Sequence, residues 1–130
     1  MIILTLNSSG PELQLGLFKH RHKVAYLKLE TGNQLSEVLY REIVSFLNKN
    51  SLTINDLNGI NCFRGPGSFT GLRIAISLVN ALAYSLHIKV VGSLGENWIR
   101  EGNQRLLSDD HNKLIMPFYG SEAKTTIPKK

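Results

Sequence analysis

A turn with three glycines lies between an apolar strand pattern and a long apolar helix pattern, and this junction constrains the fold more than any other part of the sequence. Residues 60–63 form the strand pattern, residues 65–71 read Gly-Pro-Gly-Ser-Phe-Thr-Gly, and the helix pattern runs from 72 to about 86. Glycine allows the backbone to approach a ligand closely, and the free N–H groups at a helix N-terminus attract anions. The junction therefore predicts a strand–turn–helix unit with a candidate phosphate- or nucleotide-binding loop.

The candidate loop has two physical interpretations. Its hydroxyl groups, on Ser68 and Thr70, can cap the first helical turn or bond a phosphate oxygen. Its glycines can equally serve close packing of a strand on a helix without any ligand. The spacing differs from the P-loop, which needs Gly-Lys followed by Ser or Thr, and from the dinucleotide fingerprint. The residues predicted for a phosphate or nucleotide contact are Gly65, Pro66, Gly67, Ser68, Phe69, Thr70 and Gly71.

The hydrophobic pattern along the rest of the chain changes between strand and helix periods. Three apolar strands separated by short turns indicate an antiparallel meander, and two helices then alternate with two more strands. The predicted strands are 2–7, 13–18, 24–29, 60–63 and 89–92, and the predicted helices are 34–49 and 72–86. This order, βββαβαβ, favours an α/β fold with a mixed five-stranded sheet and helices packed on it. A polar helix over 96–107 and a disordered end over 125–130 are expected to follow.

Length and composition are typical of one soluble domain. The chain has 130 residues, 42% of them hydrophobic, and a formal charge of +5 that weakly favours polyanions. Its one cysteine, Cys62, excludes an internal disulfide and lies in an apolar strand pattern, so we expect it in the core. No apolar run reaches the roughly 18 residues of a membrane span, and residues 1–6 lack the pattern of a signal peptide. These features predict a cytoplasmic protein with no membrane contact.

The second predicted helix is apolar around most of its circumference, so more than one of its sides needs cover. The sheet covers one side. Either the first helix and the C-terminal segment cover the other, or the two helices together form a surface for a partner. Small residues such as Ala75 and Ala83 allow another helix to approach closely. The residues predicted for such a partner surface are Ser36, Glu37, Leu39, Tyr40, Ile43, Leu72, Arg73, Ala75, Ile76, Val79, Leu82 and Ala83.

Residues 65–74, Gly-Pro-Gly-Ser-Phe-Thr-Gly-Leu-Arg-Ile, resemble the signature of the TsaB (YeaZ) family. Members of that family are accessory subunits of bacterial tRNA threonylcarbamoyladenosine synthesis, and the resemblance implies a ribonuclease-H-like or actin-like (ASKHA) lobe over residues 1–95. The segment Pro117-Phe118-Tyr119 and the basic ending Lys129-Lys130 are similar to the family's C-terminus. Residues 96–130 are then expected to be a reduced C-terminal segment, with a polar helix and a flexible basic tail, and the family's second lobe to be largely absent.

The resemblance also implies partners and a role. It implies a non-catalytic scaffold or activator that binds the catalytic subunit TsaD through its two long helices. Together with the ATPase TsaE, this complex supports modification of the adenosine next to the anticodon. Alone, such a chain is expected to form a homodimer, and it would contact tRNA only indirectly. The resemblance implies no cofactor of its own, although a nucleotide, ATP or ADP, shared with TsaD at the interface stays open.

Residues for catalysis or metal binding are not evident in the sequence. Asn7 stands where the first strand of the TsaB family usually ends in aspartate, and an amide does not supply the anionic oxygen that Mg²⁺ prefers. Leu35 replaces a histidine that often precedes Ser36-Glu37 in the family. Neither His-Glu-x-x-His nor Gly-x-Ser-x-Gly is present, and TsaD's histidine motif is missing. The alternative function is a small nucleotide-binding phosphohydrolase that uses the glycine loop.

Overall fold

The computed structural model describes residues 1–112, 114–116 and 118, and its elements follow the predicted order. Two short 3₁₀ turns, Gly32–Gln34 and Ile54–Asp56, precede the first long helix and the fourth strand. The strands are β1 (Ile2–Asn7), β2 (Glu12–Lys19), β3 (His22–Glu30), β4 (Gly59–Gly65) and β5 (Lys89–Leu94), and the helices are α1 (Leu35–Lys49), α2 (Phe69–Leu86) and α3 (Trp98–Leu107).

The five strands form one mixed sheet in the order β3-β2-β1-β4-β5. Strands β1, β2 and β3 pair antiparallel, as short turns between them require, whereas β1–β4 and β4–β5 pair parallel across helical connections. The predicted α/β class with a mixed five-stranded sheet is therefore confirmed. Because β1 and β4 are parallel, the ends of both strands meet at the edge where the glycine loop begins.

The helices cover the two faces of the sheet unequally. Alternate residues of a strand point to opposite faces, and Leu4 packs in the core with α1 and α2, whereas Ile3 packs with Leu106 of α3. Helices α1 and α2 therefore share one face, and α3 lies on the other, mainly against β4 and β5. The first face contains most of the buried apolar side chains and holds the larger core.

Helix α2 is covered within the chain itself. Leu72, Ala75 and Val79 are fully buried against the sheet and α1. Farther along the helix, the Asn80 amide donates to the Ile115 carbonyl oxygen at 3.0 Å and accepts from the Ile115 N–H at 2.9 Å. These contacts support the interpretation that the first helix and the C-terminal segment cover α2, and they remove the need for a partner to do so.

Residues on both sides of the predicted boundary at residue 95 pack together against the same sheet. Trp98 and Leu106 of α3 are buried against the sheet, and Phe63 of β4 meets the Trp98 ring edge-on at 5.6 Å between ring centroids. Residues 114–116 and 118, which we call the C-terminal strap, lie along β4 and α2. Pro117, Tyr119 and the tail predicted to be flexible lie outside the described residues. Within the described ranges, every helix is too short or too polar to cross a bilayer.

Candidate functional site

The glycine loop joins β4 to α2 and is held against the end of β1. Ser68 is the N-cap of α2, and its Oγ accepts a hydrogen bond from the Gly71 N–H at 3.4 Å. The Ser68 N–H donates to the Ser9 carbonyl oxygen at 3.0 Å, and the buried Ser8 hydroxyl donates to the Gly71 carbonyl oxygen at 2.7 Å. Several polar groups of the loop therefore form hydrogen bonds that fix the helix N-terminus to the turn after the first strand.

Two of the glycines are required by close backbone approach. A Cβ on Gly71 would lie 2.2 Å from the Ser8 carbonyl oxygen, which is far inside van der Waals contact. Gly65 has a φ of +137°, and a Cβ there would lie 1.7 Å from the Phe118 carbonyl oxygen. The peptide bond between Gly65 and Pro66 is cis. The structural interpretation of these glycines is thus supported, and it is compatible with a ligand on the exposed side of the loop.

A cleft of about 330 Å³ opens beside the loop, at the N-terminus of α2. Its polar lining consists of hydroxyl and amide side chains and glycine backbone, and its apolar lining is Leu35 and Ile74. No carboxylate belongs to this lining. The cleft therefore offers O–H and N–H donors to a phosphate, but no anionic ligand to the metal ion that accompanies a nucleotide phosphate. The polar residues that line the cleft are Ser8, Thr31, Asn33, Ser68 and Thr70.

The residues of the predicted loop differ in their access to this cleft. Ser68 and Thr70 are exposed and line it, and Gly71 is a buried part of its wall. Pro66 and Gly67 are exposed but are not part of its lining, and Gly65 is buried beneath the strap. The side chain of Phe69 lies outside the part of the structure that is described.

Asn7 performs a local structural task at the end of β1. Its Oδ1 accepts a hydrogen bond from the Ser9 N–H at 2.9 Å, which shapes the turn that receives the glycine loop. Among the described residues, no three His, Cys, Asp or Glu side chains lie close enough together to hold a metal ion.

Cys62 lies in β4 and is fully buried, as its apolar surroundings in the sequence predict. Burial raises the pKa of its thiol to about 12, because the interior disfavours the thiolate. The thiol is therefore neutral at physiological pH and has no access to a substrate. Cys62 acts as a small apolar side chain of the core.

Seven residues of the predicted partner surface are buried in the chain's own core. Helix α2 packs one side on the sheet and another on α1, so most of its apolar side chains are already covered. The prediction that they form a surface is corrected accordingly. The buried residues are Leu39, Ile43, Leu72, Ala75, Ile76, Val79 and Ala83.

The surface that remains is a groove between α1 and α2. It encloses about 440 Å³, with Ser36, Tyr40 and Arg73 exposed along it and Leu39 at its base. Glu37 is exposed on the first turn of α1, and Leu82 is half-buried on α2. The sequence-based prediction missed Ile74, Ser77 and Leu78, which also line this groove. The sequence signal for this groove is a stripe of polar residues at helical spacing on α2, which includes Arg73, Ser77 and Tyr84.

Similarity to known proteins covers both the groove and the glycine loop. Residues 30–93 match the family model described as "TsaD: tRNA N6-adenosine threonylcarbamoyltransferase". The chain is 32% identical over 94 residues to tRNA threonylcarbamoyladenosine biosynthesis protein TsaB of Bacillus subtilis (strain 168), covering 69% of this chain and 39% of that protein. YeaZ from Pseudomonas aeruginosa superposes with a TM-score of 0.65 at 25% identity, over 72% of this chain and 43% of YeaZ. The chain belongs to the TsaB (YeaZ) family.

Membership in the TsaB family agrees with the resemblance carried by residues 65–74 and with the fold. RuvC of Thermus thermophilus, at 10% identity, superposes with a TM-score of 0.53 over 72% of this chain and 64% of RuvC, which shows a shared fold alone. The predicted ribonuclease-H-like and actin-like (ASKHA) architecture is confirmed. The chain spans less than half the length of the curated TsaB relatives it matches, with 41%, 39% and 49% of their lengths covered.

Proposed function

We propose that this chain acts in the cytoplasm as a non-catalytic scaffold of tRNA threonylcarbamoyladenosine synthesis and binds the catalytic subunit TsaD. The relatives that share its helices and glycine loop are named as TsaB proteins of that biosynthesis. A scaffold needs a complementary surface and requires no acid, base or nucleophile of its own. TsaE and tRNA would join through the assembled complex.

The observation that carries this proposal is the groove between α1 and α2. Tyr40 lies at the side of the groove and is 48% exposed, and Ile74 and Leu78 are half-buried within the groove. An exposed tyrosine beside apolar groups and a charged Arg73 resembles the composition of interface centres, where Tyr and Arg are enriched. A helical partner fits such a groove through apolar anchors at i, i+3 and i+4 spacing. A second copy of the chain would compete for the same groove and form the expected homodimer.

The position of the cleft supports a nucleotide shared with TsaD. Ile74 lines both the cleft at the glycine loop and the α1–α2 groove, so the two depressions adjoin. A subunit seated in the groove would thus close one side of the cleft and could supply the carboxylates that its lining lacks. In the alternative function, a phosphohydrolase, the isolated chain itself would hydrolyse ATP with Mg²⁺, and Thr70→Ala would abolish that turnover.

Ser77→Arg is expected to weaken binding of TsaD by at least about tenfold, because it places a long charged side chain inside the groove. Ser77 is exposed on α2, so the substitution leaves the core intact. Isothermal titration calorimetry with purified TsaD from the same source measures the change. Asn55→Arg adds the same charge at an exposed position of the 3₁₀ turn and serves as the matched control.

Reconstitution tests the role itself. TsaD, TsaE, tRNA and the enzyme that makes the threonylcarbamoyl donor are combined with and without this chain, and modified adenosine is measured by mass spectrometry. We expect the yield to depend on the chain and to fall with Ser77→Arg. An unchanged yield without the chain, or equal affinities of Ser77→Arg and Asn55→Arg for TsaD, would contradict the proposal.

A further inference from the structure

The face of the sheet opposite α1 and α2 carries two aromatic side chains at its β2–β3 end, of which Phe18 is buried and Tyr26 is exposed. Helix α3 packs mainly on β4 and β5, and Tyr26 in the middle of β3 is 38% exposed. Phe18 and Tyr26 flank Gly16 on this face, since a Cβ on Gly16 would lie 3.3 Å from a ring carbon of each. The Tyr26 hydroxyl donates to the Gln14 amide oxygen at 2.7 Å, which fixes the ring across the strands.

Several positive side chains lie on this face or next to it. The Lys23 Nζ lies 5.4 Å from the centroid of the Tyr26 ring. The Arg21 guanidinium donates to the Gln104 side-chain oxygen at 3.0 Å and so bridges the hairpin turn to α3. Lys28 lies on the same face as Tyr26, two residues along β3, and Arg100 is exposed on α3. All four cations are exposed to solvent.

A cavity of about 530 Å³ lies between the hairpin and α3, next to this surface. Its apolar wall is formed by Phe18, Ile99 and Leu107, and Arg21 and Arg100 line its rim. Glu101 is the acidic residue of the lining.

The acidic residues of β2 and β3, Glu12 and Glu30, pair at the opposite end of the hairpin. Burial, and after it the charge of Glu12, raises the pKa of Tyr26, so this ring lies within reach of the acidic end as well. The arginines that line the cavity, Arg21 and Arg100, are at its other end.

We propose that this face, the hairpin surface of Phe18, Arg21, Lys23, Tyr26 and Arg100, binds a single-stranded polynucleotide. Sheet surfaces that bind single strands combine aromatic rings, on which bases stack, with cations that contact the phosphates. Here the Lys23 ammonium moves from the Tyr26 ring to a phosphate, one base stacks on that ring and the next enters the apolar cavity, while the other cations contact the neighbouring phosphates. An exposed ring among cations, beside an apolar cavity, favours this ligand over an acidic protein, which needs no stacking surface. The inference does not depend on the proposed function, because binding is measured on this chain alone.

Fluorescence anisotropy with a labelled single-stranded RNA of about 12 nucleotides tests the proposal. At low salt we expect a Kd between about 1 and 100 μM. The double variant Arg21→Glu/Lys23→Glu is expected to weaken binding at least about tenfold, since it removes two phosphate contacts. The matched control, Arg41→Glu/Lys49→Glu on the exposed side of α1, changes the net charge by the same amount on the other face of the sheet.

Stacking is tested separately from charge. Tyr26→Ala is expected to weaken binding about fivefold or more, whereas Tyr26→Phe keeps the ring and should retain the affinity. Tyr84→Ala, at an exposed tyrosine of α2, is the aromatic control and should bind like the unmodified chain. A labelled DNA strand of the same sequence shows whether the surface contacts the 2′-hydroxyl of RNA. Either equal or weaker binding of DNA agrees with the proposal.

Three results would overturn this inference. The first is the absence of binding at 1 mM chain, which is about tenfold weaker than ordinary non-specific affinity. The second is an equal loss in the hairpin and α1 double variants, which would mean that net charge alone attracts the RNA. The third is unchanged binding in Tyr26→Ala with circular dichroism showing an intact fold, which would remove the stacking contact.

Discussion

Val79→Glu is expected to remove a large fraction of the free energy of unfolding of the chain. Val79 is fully buried in α2 within the core that joins α1, α2 and the sheet. A carboxylate there loses its hydration without a positive partner among the apolar side chains of this cluster, and such changes cost about 3–5 kcal/mol or more. Domains of this size are typically stable by about 5–15 kcal/mol, so the loss removes a large fraction of the total.

Urea unfolding followed by circular dichroism measures this effect. Ser77→Glu is the matched control, because it introduces the same side chain two residues earlier on the exposed side of the same helix. We expect its free energy of unfolding to change by no more than about 0.5 kcal/mol. If both variants proved equally stable, Val79 would belong to a surface, and the original prediction of a partner contact there would be restored.

Gly71→Ala is expected to lower the free energy of unfolding by about 3 kcal/mol, near the upper end of typical overpacking effects. The new methyl group would lie 2.2 Å from the Ser8 carbonyl oxygen, and neither backbone can yield easily. The buried Ser8 hydroxyl already bonds the Gly71 carbonyl oxygen at 2.7 Å, so movement of the helix N-terminus would also break this bond. The substitution should therefore disturb the candidate cleft as well as stability.

Gly10→Ala is the control for this second prediction. Nothing lies within 4 Å of a Cβ at Gly10, so the change should be neutral or stabilise the chain by up to about 1 kcal/mol. The midpoints of urea unfolding at constant slope distinguish the two variants. Equal midpoints would show that the loop can move away from Ser8, and the close approach would then not explain the glycine.

Much of the architecture could be predicted from the sequence. The pattern of residues 2–7 and the apolar run over 72–86 are long and regular, and both elements are present in the structure. Helix α2 begins at Phe69, three residues before the predicted start, because Ser68 caps it through the Gly71 N–H. A capping side chain extends a helix beyond its apolar pattern, so periodicity alone places the start too late.

The exposed side of the helices was less accessible to sequence reasoning. The apolar pattern of α2 predicts a partner surface, because a chain of 130 residues with few other helices offers little to cover it. In the structure α1 crosses α2 on the same face of the sheet, and the C-terminal strap adds the Asn80–Ile115 hydrogen bonds. Such contacts join residues far apart in the sequence, and no local pattern reports them. The hairpin surface is a similar case, because Arg21 meets α3 only through the fold.

The sequence by itself determined the order of the elements, the place of the glycine loop and the family of the chain. These features depend on local periodicity and on contiguous residues, which one stretch of sequence carries whole. Only the tertiary structure decided which apolar side chains of α2 are core and where a groove and a cleft remain open. The physical reason is that burial depends on the packing of distant segments against one another, and neighbouring residues of one helix can lie on either side of that boundary.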